Sequence, residues 1–340
     1  MQRRTFLAGA TVTAATGLVS AEPAAQIRPP GDLERLLFAR TMPAAALAPD
    51  VAATRLTAAA CEYAASRYAT VARALPDLLA GLHTAHGQSR GDLRNAVAGL
   101  LARAYVLASS LCTKLGDDAI GWVLADRALV AAQETGDGVL EAAAAHTVAI
   151  AMRREGHHGG AITLLTETAR HLGADAGDAT PALLGAYGNL LCTAAYSSAQ
   201  AGNRGEAATF LSEAVAAAAR LDRPAAGVVP FSRSTVNIYK IGIFTALGNT
   251  PAALEAARLV RVAELPSSER YGRYCIDTAR AWQAHGNVDH AVQALLAAER
   301  HAPEEVHRPS VRDLVTGLLY APTATPEGLR GLANRLGVAS

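Results

Sequence analysis

The chain has 340 residues, 51% of them hydrophobic and only 5% aromatic, and its net charge is +1. Ala, Leu and Val supply most of the apolar content, which favours close helix packing over a β-sandwich. The sequence has no Lys/Arg-rich run of the kind that would predict direct nucleic-acid binding. After the N-terminus, no uncharged apolar stretch approaches the roughly 18 residues that a membrane span needs.

Residues 1–21 contain the three parts of an export signal in order. Arg3–Leu7 fits the twin-arginine pattern RRxFL, a mild apolar region follows over 8–19, and Val19-Ser20-Ala21 offers a cleavage site after Ala21. The alternative is a chance match in a start without structure. Residues 22–50 are rich in proline and are predicted to be a linker, interrupted at most by a short helix in DLERLLFAR.

From residue 51 to 340 the sequence predicts one domain of amphipathic helices, broken by five similar turns. The turns begin at glycines spaced 40, 46, 46 and 38 residues apart: Gly116, Gly156, Gly202, Gly248 and Gly286. Glycine ends a helix in the left-handed conformation, and an Asp or Asn after it caps the next helix. A Gly or Ala five places later lets the two helices cross closely. We therefore predict an all-α, tetratricopeptide-like right-handed solenoid of about five helical hairpins, with an all-α bundle as the alternative.

Candidate ligand-binding residues lie on the first helices of the later hairpins, which line the concave groove of such a solenoid. Arg and Lys suit carboxylates or phosphates, Asn suits peptide backbone, and Tyr provides apolar anchoring. The alternative is an ordinary solvated helix face. The candidates are Tyr187, Asn189, Asn237, Tyr239, Lys240, Arg270, Tyr271, Arg273, Tyr274 and Asp277.

The sequence predicts no catalytic residues, no metal site and no cofactor. GxSxG and GxxxxGK[ST] motifs are absent, and the glycines are interpreted as helix ends. The pairs His83/His86 and His157/His158 lack a further ligand nearby in the sequence. Core thiols are favoured over a disulfide pair for Cys61, Cys112, Cys192 and Cys275.

Three blocks resemble the tetratricopeptide-like C-terminal half of actinobacterial XRE-family transcriptional regulators. They are KLGDDAIGWVLADRALVAAQETGD, FSRSTVNIYKIGIFTALGNTPAALEAARLV and RYCIDTARAWQAHGNVDHAVQALLAAERHAPEEVHRPSVRDLVTGLL. The resemblance covers roughly residues 65–320. It departs from the family pattern at Thr235, where Asn is usual, and at Tyr239, where His is usual. The helix-turn-helix domain that precedes this region in the family has no counterpart in the roughly 50 residues before it.

The resemblance implies a ligand- or partner-sensing region without its DNA-binding head. We therefore expect a non-enzymatic regulatory protein whose groove binds a peptide, a partner protein or a small effector. The resemblance also implies a possible homodimer. It implies a cytoplasmic location as well, whereas the signal-like start would predict export. Two alternatives stay open: a scaffold exported by the twin-arginine route, and an enzyme evolved from a sensor pocket.

Overall fold

The computed structural model describes residues 33–34, 37, 44–173, 179–321 and 325–338. Within these ranges the chain forms fifteen α-helices and one short 3₁₀ turn, and it contains no β-strand. The predicted all-α class is therefore confirmed. The candidate export signal, residues 1–21, lies outside the described residues, as does most of the predicted linker.

The helices follow one another with short connections. They are α1 (Pro49–Ala64), α2 (Tyr68–Gln88), α3 (Gly91–Leu115), α4 (Asp118–Gln133), α5 (Gly138–Arg154), α6 (His158–Leu172), α7 (Pro181–Gln200), α8 (Arg204–Ala219), α9 (Arg233–Ala246), α10 (Thr250–Arg258), α11 (Ser268–Ala284), α12 (Val288–His301), α13 (Pro303–Val306), α14 (Pro309–Leu319) and α15 (Leu329–Leu336), with the 3₁₀ turn at Val262–Glu264.

All five predicted turns separate two helices and share one backbone geometry. Each lead glycine is left-handed, with φ between 72° and 84°. The residue after it donates its N–H to the carbonyl five positions earlier, at 2.8–2.9 Å, as in the pair Asp117 and Cys112. In four turns the Asp or Asn after the glycine also caps the next helix, whereas His157 in the second turn does not. The turn chemistry predicted from the sequence is thus confirmed in four of five places.

The small residue predicted in each turn lies at a close helix crossing. Ala161, Ala207, Ala253 and Ala291 are fully buried. At the fifth position, a Cβ built on Gly121 would lie 3.4 Å from the Cβ of Cys112. Larger side chains would push the two helices of each pair apart.

The helix pairs form two layers. The first helix of each pair (α3, α5, α7, α9 and α11, the inner helices) contacts the first helix of the next pair. The second helices (α4, α6, α8, α10 and α12, the outer helices) make their extensive contacts with the inner helices before and after them. The inner helices therefore form one continuous layer, and their side chains can meet across several pairs.

Both ends of this array contact each other. Helix α11 packs against α1, and the side chains of Glu304 and Glu305 accept hydrogen bonds from the backbone of Ala69 and the hydroxyl of Tyr68. A Cβ on Gly116 would lie 2.8 Å from Pro309, so these two segments also touch. These contacts join the first helices of the described chain to its last ones.

Part of the predicted linker belongs to the core. Leu33 and Leu37 are helical and buried in the first hydrophobic cluster, with 0% and 5% exposure. The carbonyl of Leu37 accepts a hydrogen bond of 2.7 Å from Arg127 on α4. Leu33 and Leu37 therefore pack on the domain, whose contacts begin well before residue 51.

Helix α3 is long and apolar enough to cross a membrane by length and composition alone. However, 67% of its most apolar window is buried among the other helices. Core helices of helical proteins have this composition, and α3 packs here against α2, α4 and α5.

A loop between α8 and α9 folds over α7. Ala225 and Phe231 exchange two backbone hydrogen bonds of 2.8 and 3.1 Å, and the Phe231 ring is fully buried against Gly188. A Cβ at Gly188 would overlap this ring. The side-chain amide of Asn189 donates to the carbonyl of Val229 at 2.9 Å and fixes the same loop.

We expect Gly188→Ala to destabilise the protein by about 1–3 kcal/mol, because the added methyl group must displace a fully buried ring. Urea denaturation followed by circular dichroism measures this change. Gly159→Ala is the matched control, since no atom lies within 4 Å of a Cβ there. Equal stabilities of the two variants would contradict the packing argument.

Candidate functional site

Polar side chains from four inner helices contact one another. We call this group the central cluster. It consists of His146 and Arg153 (α5), Tyr196 (α7), Tyr239 (α9), and Arg273 and Asp277 (α11).

Tyr239 is the centre of the cluster. Its side chain is 4% exposed, and its hydroxyl lies 3.3 Å from Nε2 of His146 and 3.1 Å from Oγ1 of Thr193. Because His146 is on α5, Thr193 on α7 and Tyr239 on α9, this hydroxyl links three successive inner helices. The contact between α5 and α9 passes over the helix between them, which requires a tightly curved layer.

Two arginines stack on two tyrosines. The guanidinium carbon of Arg273 lies 4.7 Å from the ring centre of Tyr239, and that of Arg153 lies 4.4 Å from the ring centre of Tyr196. The two rings are themselves edge to face, 6.5 Å apart at 87°. Cation–π contacts of this kind hold a guanidinium in place without using its hydrogen-bond donors.

The cluster carries more positive than negative charge. Asp277 is shared by Arg273 at 3.5 Å and Arg280 at 3.2 Å. Among the described residues, Arg153 has no carboxylate within ion-pair distance, and its one hydrogen bond goes to the amide oxygen of Gln200 at 2.8 Å. Its Nε is buried without a partner. Burial and the nearby charge of Arg273 lower the pKa of Arg153, although the group remains protonated.

His146 is neutral in the folded protein. Burial, together with the charges of Arg270, Arg273 and Arg153, lowers its pKa to about 3. Within the described ranges its Nδ1 has no hydrogen-bond partner, and neither does Oδ1 of Asn189. Both residues line a pocket of about 20 Å³ between α5, α7 and the loop at 226–229. Such a volume holds about one water molecule, so the pocket is too small for a substrate.

A second polar group joins the two ends of the array, and we call it the closing network. It consists of Tyr68, Lys114, Glu269, Arg270, Glu305 and Arg308. The Nζ of Lys114 donates to Glu269 at 2.6 Å and to Glu305, and these side chains are 8% exposed or less. Burial alone would raise the pKa of Glu269, but the charges of Lys114 and Arg270 outweigh it and lower the pKa.

The structure divides the ten residues predicted from the sequence. Tyr239, Arg273 and Asp277 belong to the central cluster. Arg270 lies 3.4 Å from Glu269 in the closing network. Lys240 is half-buried beside the cluster. Burial raises the pKa of the Cys192 thiol to about 12, and the positive charges of Arg273 and Lys240 act against this rise.

The other five predicted residues bond or pack with residues outside the cluster, although Asn189 also lines the pocket beside His146. Tyr187 bonds Glu213 at 3.0 Å, Asn189 bonds Val229, Asn237 bonds the carbonyl of Leu259 at 3.2 Å, Tyr274 bonds that of Ala257 at 3.3 Å, and Tyr271 packs on His301 with ring centres 4.7 Å apart. These five residues connect inner helices to the outer helices or loops next to them. We therefore centre the candidate site on the central cluster, which contains three of the ten predicted residues, Tyr239, Arg273 and Asp277.

Sequence reasoning missed His146, Arg153, Lys114 and Glu269. His146 stands in a run of alanines, and Arg153 sits beside Arg154 at the end of a helix, where basic residues are common. The sequence did contain one indication that His146 and Arg153 act together: they are seven residues apart and therefore lie on one face of α5.

The histidines and cysteines singled out in the sequence make separate contacts in the structure. His86 bonds Glu134 at 2.8 Å, His83 bonds Tyr105, and His157 packs on Trp122. Among the residues that the structure describes, no three His, Cys, Asp or Glu side chains are grouped to hold a metal ion. All four cysteines are free thiols, and three are buried as predicted, whereas Cys61 is exposed.

Comparison with known proteins gives no relative on which a function could be based: no family model matches the chain, and no curated protein matches it.

Proposed function

We propose that this protein is a non-enzymatic, tetratricopeptide-like regulatory protein that binds a small effector at the central cluster. In this proposal the five helix pairs are the units of a right-handed solenoid, and their inner helices form its concave side. The protein would be related to the sensor region of XRE-family regulators, without a DNA-binding domain of its own in the part of the chain that resembles them.

The common turn geometry and the layering support the solenoid. Five turns with a left-handed glycine and a buried small residue recur at 38 to 46 residues. The hydrophobic clusters follow one another along the chain, each sharing helices with the next. Units that bury their apolar faces against neighbours in sequence are typical of repeat proteins.

One observation carries the binding function: the central cluster holds an arginine, Arg153, that pairs with no carboxylate among the described residues. A cluster that served stability alone would be better built from apolar side chains, since desolvating charges costs free energy. Stacked tyrosines and arginines that are buried or half-buried are typical of a ligand site. Their burial favours a small molecule or a peptide end over a folded partner protein.

Native mass spectrometry of protein purified from its own host tests this proposal. We expect wild type to retain a small molecule, and Tyr196→Leu to reduce the occupied fraction several-fold because Arg153 loses the ring that holds it. Tyr320→Leu is the matched control, since Tyr320 is 78% exposed and lies at the end of α14. Equal occupancy in both variants, or an empty wild type that no small-molecule extract of the host stabilises, would overturn the proposal.

The same measurement addresses location. Loss of residues 1–21 from the intact mass would support export, and full length would support the cytoplasmic prediction. Both stay predictions, since these residues lie outside the described part of the chain.

A further inference from the structure

We infer that the central cluster binds an oxyanion, a carboxylate or phosphate group of the effector, through the guanidinium groups of Arg153 and Arg273. This inference rests on the proposed function and specifies the chemistry of its ligand.

The donors needed for an oxyanion are present and unused. Arg273 has its Nε 3.5 Å from Asp277, and its two terminal nitrogens bond no acceptor within the described ranges. Arg153 uses one nitrogen for Gln200. A guanidinium presents its N–H groups in a planar fork that matches carboxylate and phosphate oxygens.

The geometry also fixes these donors in advance. Each guanidinium lies on a tyrosine ring, and the two rings contact each other. The donors therefore lose little side-chain entropy when a ligand binds. The Arg273 side chain is 22% exposed, which leaves it accessible from solvent.

The surrounding charge favours an anion over a cation. Arg270 and Lys240 add positive charge beside the cluster. Both nearby carboxylates are already shared by two cations: Asp277 by Arg273 and Arg280, and Glu269 by Lys114 and Arg270. An oxyanion would relieve the repulsion between the two stacked arginines.

The test uses inorganic phosphate as the probe and thermal denaturation as the readout, at constant ionic strength with chloride. Phosphate also stabilises proteins generally, so the informative quantity is the difference between variants. We expect phosphate to stabilise wild type and the control Arg170→Gln equally, because Arg170 lies outside the central cluster. We expect Arg153→Gln to weaken the apparent affinity for phosphate about tenfold or more.

Arg153→Gln has a second expected effect that separates binding from structure. Because Arg153 neutralises no carboxylate among the described residues, its removal orphans no charge and relieves repulsion with Arg273. We expect the variant without phosphate to be at least as stable as wild type. A variant that is less stable but responds to phosphate like wild type would overturn the inference and assign Arg153 a structural role.

Two further outcomes distinguish this inference from the proposed function. If Arg153→Gln and Arg273→Gln still retain the molecule that wild type carries from its host, the binding function stands and the oxyanion inference is wrong. If wild type carries nothing, yet its phosphate response is lost in Arg153→Gln, the anion site stands and the effector function fails. Acetate in place of phosphate then shows which oxyanion the site prefers.

Discussion

Replacing Lys114 by methionine is expected to lower the free energy of unfolding by about 3 kcal/mol. The ammonium group of Lys114 donates to both Glu269 and Glu305, and all three side chains are 8% exposed or less. Methionine fills a similar volume but leaves two carboxylates without their shared cation. Each carboxylate then keeps one arginine, Arg270 at 3.4 Å from Glu269 and Arg308 at 3.0 Å from Glu305, but the buried cation that joined the two carboxylates is lost.

Urea denaturation at neutral pH measures this loss. Arg258→Met is the matched control, because Arg258 pairs with Glu255 at a site where both side chains are more than half exposed, and we expect it to change stability by less than about 1 kcal/mol. Adding Glu305→Gln to Lys114→Met removes one of the stranded charges and should recover part of the loss. If Lys114→Met were as stable as Arg258→Met, the closing network would not hold the ends together.

Stability should fall steeply with acid below pH 6.5, and His146 should be a main cause. Its pKa is about 3 in the folded protein against an ordinary value of 6.5. Between these values the unfolded chain binds a proton that the folded protein excludes. The stabilisation from the neutral imidazole is therefore complete above pH 6.5 and is lost as the pH falls, by up to tenfold in the folding equilibrium constant per unit.

His146→Gln tests this expectation, because glutamine does not titrate. Relative to wild type, the variant should gain about a hundredfold in its folding equilibrium constant between pH 6.5 and 4.5. Below pH 4.5 the carboxylates of the closing network also lose stabilisation, since their pKa values lie under the ordinary 4.5. The difference in stability between the two proteins above pH 7, where the histidine is neutral in both the folded and the unfolded state, is the internal control. A difference between the two proteins that stayed constant with pH would contradict the role of His146.

Local structure was predictable from the sequence because local residues determine it. The five turns follow from glycines that end helices and from Asp or Asn caps such as Asn203 and Asn287. His157 shows where such a prediction ends, since its side chain does not cap α6. Periodicity and turn chemistry therefore predicted the helix pairs and the residues between them.

The site was predictable only in part, because its contacts depend on the curvature of the whole layer. Placing candidates on inner helices found Tyr239 and Arg273, but Tyr187 and Asn237 lie on the same helices and turn toward other neighbours. The pair His146 and Tyr239 is 93 residues apart. A repeat pattern predicts which helices are neighbours, and it does not predict how tightly their array curls.

The contact between the two ends also has a consequence for the order in which the protein forms during synthesis. Tyr68 and Glu305 are 237 residues apart, and Lys114 meets Glu269 across 155 residues. The N-terminal helices leave the ribosome first and can pair with their neighbours at once, whereas Lys114 faces water until the last helices arrive. Contacts of such sequence separation form slowly, because a long loop must close before they contribute. The face of the first helices that contacts the last helices should therefore stay exposed to water until Glu305 has left the ribosome. A chain that stopped before that residue would lose stability in its first helices as well as the helices it lacks.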